Sequence, residues 1–156
     1  RVGWMIAPAE LLAKATMCKQ FSDAHTSTFA QATAAQYLKA GRMPATLAKV
    51  RAVYAERAMT MGNALRRDLG DAIEFVQPQG GLFVWARLTG AGGKVADGGE
   101  LAKRAIEKGV AFVPGAPFYA GNADARAMRL SFVTPSVEEI HRGVAALAEA
   151  IHAQRS

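Results

Sequence analysis

Seven apolar residues recur at spacings of three and four along one stretch of the chain: Leu47, Val50, Tyr54, Ala58, Met61, Leu65 and Leu69. That rhythm places all seven on one face of an α-helix, so the stretch predicts an amphipathic helix of about 25 residues. At about 1.5 Å per residue such a helix crosses a large part of a small domain or joins two lobes. Gly70-Asp71 is its stop. Whatever the chain folds into must be built around this rod.

The residues on its two sides read differently. Before it, Val2–Ala7 is a short apolar run closed by Pro8, expected as a buried strand, and Pro8-Ala9-Glu10 suits a helix start. A helix is expected through about Phe21. The small polar residues 22–28 break it, and a second helix is expected over Phe29–Ala40 before Gly41. After the rod, Ile73–Val76, Leu82–Leu88, Val110–Val113 and Met128–Val133 read as strands, with a helix over Gly98–Lys108. Thr134-Pro135 opens a last helix whose core face is Val137, Ile140, Val144, Leu147 and Ile151. The expected fold class is α/β, with a small strand–helix lobe from about residue 70 onward. The glycine-rich 89–99 stretch is expected as a loop.

Composition narrows the function classes. The 156 residues are 51% hydrophobic and 21% charged with one Cys, which excludes a disordered chain and a disulfide scaffold. No apolar run approaches the roughly 20 residues of a membrane span, and the first residues given do not read as a signal peptide. The net charge of +6 is concentrated in residues 1–71, yet those cations interleave with the apolar stripe and no stacking aromatics accompany them. They read as solvated helix faces, so nucleic-acid binding is rejected as the primary function.

Familiar catalytic patterns are missing. His25, His141 and His152 have no metal-ligand spacing with Cys or acids, and the last two are expected to face solvent. Ser22, Asp23 and His25 are too close in sequence to be read as a triad. The glycines at 90, 92 and 93 complete neither a dinucleotide fingerprint nor a P-loop. Cys18 is expected as a buried, inert thiol. The strand around Arg129 is more informative: Met128, Leu130 and Phe132 share one face while Arg129, Ser131 and Val133 share the other. Burying the apolar face against the terminal helices would point Arg129 at a cleft between two lobes.

Three segments, taken in order, carry a resemblance. Arg1-Val2-Gly3-Trp4 resembles the strand just after the Schiff-base lysine of class I/II pyridoxal phosphate-dependent aminotransferases. Gln79-Gly80-Gly81-Leu82-Phe83-Val84-Trp85 is similar to the family's strand opening the small domain. Val113-Pro114-Gly115-Ala116-Pro117-Phe118 and Met128-Arg129-Leu130-Ser131-Phe132 resemble its closing pair of strands. The set spans nearly the whole chain and is most similar to the 2-aminoadipate and aromatic-type subgroup.

The resemblance implies the C-terminal part of a fold type I enzyme, in three sections. Residues 1–44 would be the last strand and helices of the large cofactor-binding domain, 45–70 the connecting helix, and 71–156 the small α/β domain. It implies that Arg1 binds the phosphate of pyridoxal 5'-phosphate and that Arg129 binds the α-carboxylate of the substrate. A guanidinium suits both tasks, because its planar fork meets such oxygens in pairs and stays charged. Gly80 and Gly81 are expected to permit close backbone approach and Pro114-Gly115 a tight turn. Phe83 and Trp85 are expected in the core, and Tyr119 is a candidate pocket residue.

The Schiff-base lysine and the acid on the pyridine nitrogen would lie before Arg1, so no catalytic residue and no metal ligand is expected within the chain. The chain is therefore expected to be an inactive fragment of a cytoplasmic, homodimeric enzyme acting on amino acids and 2-oxo acids. The runner-up is the aminotransferase-like domain of a GntR/MocR-type transcription regulator.

Overall fold

The computed structural model describes residues 1–90 and 97–153. Two compact units divide it, Arg1–Lys49 and Val50 onward, and each is described by itself. The central part of the expected 89–99 loop lies outside the described residues.

The first unit holds helices α1 (Ala9–Ser22) and α2 (Thr28–Lys39). Pro8 sits at the N-cap of α1, with Glu10 in its first turn near the positive end of the dipole. Lys19 pairs with Asp23 at 2.7 Å one turn on, where the helix ends. Ser27 caps α2 by accepting from the Ala30 N–H. Neither helix buries a residue, and Leu11, Met17, Phe21 and Phe29 are all exposed.

Two expectations fail in this unit. Cys18 is exposed, not buried, because α1 has no buried side on which its apolar residues could gather. The run 2–7 forms no strand. A strand needs neighbours to take its N–H and C=O groups, and the four strands described below pair only with one another.

Helix α3 (Met43–Leu69) carries the predicted stripe, and its 27 residues match the expected length. Burial along the stripe is graded. Ala58, Met61, Leu65 and Leu69 are in the core, whereas Leu47, Val50 and Tyr54 are half-buried. A short helical turn (Gly70–Ala72) leads into β1 (Ile73–Phe75). Then follow β2 (Phe83–Leu88), α4 (Gly98–Glu107), β3 (Val113–Pro114), β4 (Ala127–Ser131) and α5 (Val137–His152). All expected elements of this half are present, with ends shifted by a few residues.

The sheet has the order β1-β2-β4-β3 and every pair is antiparallel. Val84, Ala86 and Leu88 on β2, with Met128 and Leu130 on β4, face the core, joined by Phe132 just past β4. Leu65 of α3, Leu101 of α4 and Leu147 of α5 complete it. Period-two alternation in the strands therefore meets period-3.6 stripes in the helices, one layer on the other.

Caps fix where the helices begin. Asp97 accepts from the Gly99 and Glu100 N–H groups at the start of α4. Ser136 and Glu139 form a reciprocal capping box at the start of α5: the Glu139 N–H donates to Ser136 Oγ at 3.2 Å, and the Ser136 N–H to Glu139 Oε2 at 2.7 Å. The helix thus opens just beyond the expected Thr134-Pro135. His141 on this helix is half-buried with its Nδ1 shut off from water, so it does not face solvent as expected; His152 does. No described helix is long and apolar enough to cross a membrane.

Candidate functional site around Arg129

The open face of the sheet carries Phe83, Trp85 and Arg87 of β2 beside Arg129 and Ser131 of β4, while Ala127 of the same parity is buried. Register places Trp85 directly opposite Arg129 on one flank and Val113 opposite it on the other. Arg129 therefore stands in the middle of this face, as the alternation of residues 128–133 predicts.

Its guanidinium is set by aromatic rings. The Cζ atom lies over the Phe83 ring at 4.2 Å and over the Phe118 ring at 4.8 Å. Phe118 meets Trp85 edge to face at 5.6 Å, and Tyr119 leans on Trp85 at 6.3 Å. All four rings remain partly open to solvent, Phe83 at 38% and Trp85 at 41%. Phe83 and Trp85 thus belong to the site face and not to the core. The missed signal is Arg87: it lies two residues from Trp85 and four from Phe83, so a charged residue of the same parity marks their common face.

Electrostatically the Arg129 group is poised for an anion. Among the described residues it has neither an acid partner nor a hydrogen-bond acceptor, and its Nε is sealed from water without a partner. A buried unsatisfied donor costs about 1–3 kcal/mol, so this Nε carries a standing penalty. Arg87 on the same face shows the contrast. Asp124, then Glu74 at 2.9 Å, neutralise it and hold its guanidinium above the ordinary range. Arg126 also reaches Asp124, at 3.2 Å. These two cations are ion-paired where Arg129 is not.

The turn that delivers Phe118 depends on Gly115. A Cβ there would fall 2.4 Å from the Ala127 Cβ and 2.8 Å from its backbone carbon. The Gly115 N–H donates to the Ala127 carbonyl at 2.7 Å. At Gly81 the surroundings are open and φ is +78°. The two glycines therefore exchange their expected reasons: Gly115 is needed for close approach, Gly81 for backbone conformation, and Gly80 meets nothing nearby.

Arg1 lies in the other unit, exposed, with no hydrogen bond or ion pair to the described residues. The Ser22, Asp23 and His25 group forms no triad. Asp23 binds Lys19, the Ser22 hydroxyl bonds the Cys18 carbonyl, and His25 Nδ1 lies 3.0 Å from the Thr26 carbonyl. No cluster of metal-ligating side chains occurs among the described residues.

Comparison with known proteins gives this face its context. Residues 1–147 match the family described as "Aminotransferase class I and II". The chain belongs to this aminotransferase family. It is 39% identical over 97% of its length to a 2-aminoadipate transaminase of Thermus thermophilus, and 34% identical over 97% to an aromatic-amino-acid aminotransferase of Thermococcus litoralis. It spans 37% and 35% of those relatives, little more than a third of their length.

The crystal structure of the Thermus thermophilus α-aminoadipate aminotransferase, complexed with N-(5'-phosphopyridoxyl)-L-leucine, superposes with a TM-score of 0.77. It is 36% identical, over 96% of this chain and 37% of that one. The fold is accordingly the mixed α/β arrangement of fold type I aminotransferases. An HTH-type transcriptional regulator of Bacillus subtilis, YdfD, matches at 26% identity over 92% of the chain and 29% of its own length.

Proposed function

We propose that this sequence is the C-terminal portion of a pyridoxal phosphate-dependent aminotransferase that moves an amino group between an amino acid and a 2-oxo acid. The observation that carries the reading is the unpaired Arg129 guanidinium on an aromatic-lined sheet face, in a member of the aminotransferase family. In this reading Arg129 binds the substrate α-carboxylate through paired, charge-assisted hydrogen bonds. Arg1 holds the cofactor phosphate, which its unpaired, exposed guanidinium fits. Pyridoxal phosphate, when bound, supplies the electron-withdrawing ring that weakens the substrate's α-C–H bond.

The proposed division is residues 1–44 for the end of the large domain, 45–70 for the connecting helix and 71–156 for the small domain, within a homodimer. The six described lysines support the view that the Schiff-base lysine lies elsewhere in the protein. All are exposed, and Lys19, Lys103 and Lys108 are engaged with Asp23, Glu100 and Glu149. Among the described residues no lysine is placed for the Schiff base, and in this reading the 156 residues alone give no site-specific lysine-dependent absorbance band with pyridoxal phosphate.

A second reading, the aminotransferase-like domain of a GntR/MocR-type regulator, draws on the similarity to the HTH-type regulator. Identity to the enzymes is higher, which favours catalysis. The test uses the holoprotein that carries this chain. Arg129→Ala should raise the amino-acid KM by a factor corresponding to about 2–3 kcal/mol while changing cofactor affinity far less. Arg1→Ala should show the opposite order. Equal losses of both affinities in Arg129→Ala would defeat the carboxylate assignment, and absence of any amino-group transfer would favour the regulator.

A further inference from the structure

We propose that Phe83 and Phe118 are positioning residues for carboxylate recognition, holding the Arg129 guanidinium unpaired, partly dehydrated and fixed in orientation. The inference rests on the carboxylate role of Arg129 given above and adds the device that makes it effective. Three observations meet here. Both ring faces point at the same carbon, one delivered from β2 and the other from the turn after β3. The two elements flank β4 on opposite sides, so the rings bracket the side chain. No acid competes for it among the described residues, and its Nε is already removed from water.

An unrestrained arginine would lose rotamer freedom and hydration when a carboxylate arrives, and both losses weaken binding. Ring faces remove that freedom beforehand without neutralising the charge, because their attraction for a cation occupies none of its N–H donors. An acidic neighbour would orient the group equally well but would occupy its donors, as Asp124 does for Arg87. With ring faces against the guanidinium, the approach left to a ligand is along the edge where the N–H groups point. A planar carboxylate meets that edge with two oxygens.

Phe83 and Phe118 are 38% and 52% exposed, so truncating them should leave the core intact. In the holoprotein, Phe83→Leu and Phe118→Leu should each raise KM for amino acid and 2-oxo acid alike, by about three- to ten-fold, the range of one cation–π contact. kcat should fall by less than KM rises. Phe118→Tyr, which keeps the ring face, should restore KM. An independent readout is the Arg129 Nε–H resonance in ¹⁵N-labelled protein, whose solvent exchange should quicken in both leucine variants. If Arg129→Ala raises KM but the leucine variants leave both KM and Nε–H exchange unchanged, the positioning role is wrong and the carboxylate role stands. If Arg129→Ala leaves KM unchanged, the underlying reading fails. A loss confined to kcat would also overturn the proposal.

Discussion

Replacing Gly115 by Ala is the sharpest probe of how β3 and its turn are held. The added Cβ would stand 2.4 Å from the Ala127 Cβ and 2.9 Å from the Ala127 carbonyl oxygen. Carbon atoms in contact prefer about 3.5–4.0 Å, so the strands must part by about 1 Å locally. The obstacles are Ala127 atoms tied to the β4 backbone, with no flexible chain end to swing away. Separation would stretch the 2.7 Å hydrogen bond from the Gly115 N–H to the Ala127 carbonyl. Overpacking costs about 1–3 kcal/mol and the weakened hydrogen bond about 1 kcal/mol, giving roughly 2–4 kcal/mol in all.

Gly81 supplies the internal control. There a Cβ meets nothing within 4 Å, and the only penalty is φ at +78°, about 1–2 kcal/mol for alanine. Asparagine tolerates that backbone region better than alanine, but it is bulkier. The order should therefore reverse between sites: Gly81→Asn milder than Gly81→Ala, and Gly115→Asn worse than Gly115→Ala. Guanidinium unfolding of the chain, comparing midpoints at matched m-values, measures all four. A Gly115→Ala variant no less stable than Gly81→Ala, or the same residue order at both sites, would refute the close-approach argument.

Two further outcomes follow from the core and from the ionisable groups. Phe132, 1% exposed and edge-on to Tyr54 at 6.4 Å, should cost about 3–5 kcal/mol when changed to Ala, read as a lower denaturation midpoint; a loss under 1 kcal/mol would mean the site collapses freely. The Arg67 guanidinium hydrogen-bonds Asp68 and holds its carboxyl below the usual range, with partial burial opposing and His141 assisting. A depressed carboxyl stabilises the fold above its unfolded pKa of about 4 and loses that contribution as pH falls through the lower folded value. The Tm gap between the wild type and Asp68→Asn should thus be full near pH 6 and shrink below about pH 4; a gap constant down to pH 2 would exclude the linkage.

Legibility from sequence follows how strongly each segment's two faces differ. Residues 128–133 alternate an apolar set with Arg129 and Ser131, so the strand, its core face and the placement of the arginine on the opposite face are all readable. In β2 both faces are apolar up to Arg87, and the exposed pair Phe83 and Trp85 passes for core. Helix α3 is legible because its stripe is long, although sequence alone does not reveal that its first half is the less buried. The apolar run 2–7 and Cys18 mislead for a shared reason. Hydrophobicity states what a segment would bury if a partner covered it, and no described residue buries either. The contact at Gly115 joins residues twelve apart in sequence, beyond any local pattern.

The parity of β4 has one more consequence. A slip of one residue against β2 and β3 preserves most backbone hydrogen bonds, yet it would drive a guanidinium into the core and turn Met128 and Leu130 out to water. The same alternation thus encodes the hydrophobic layer and the position of the unpaired Arg129, and neither can be misread alone. Misregistration is self-reporting in this strand: a chain that zips up wrongly forfeits its stability in the same step as the placement of Arg129 against Phe83 and Phe118.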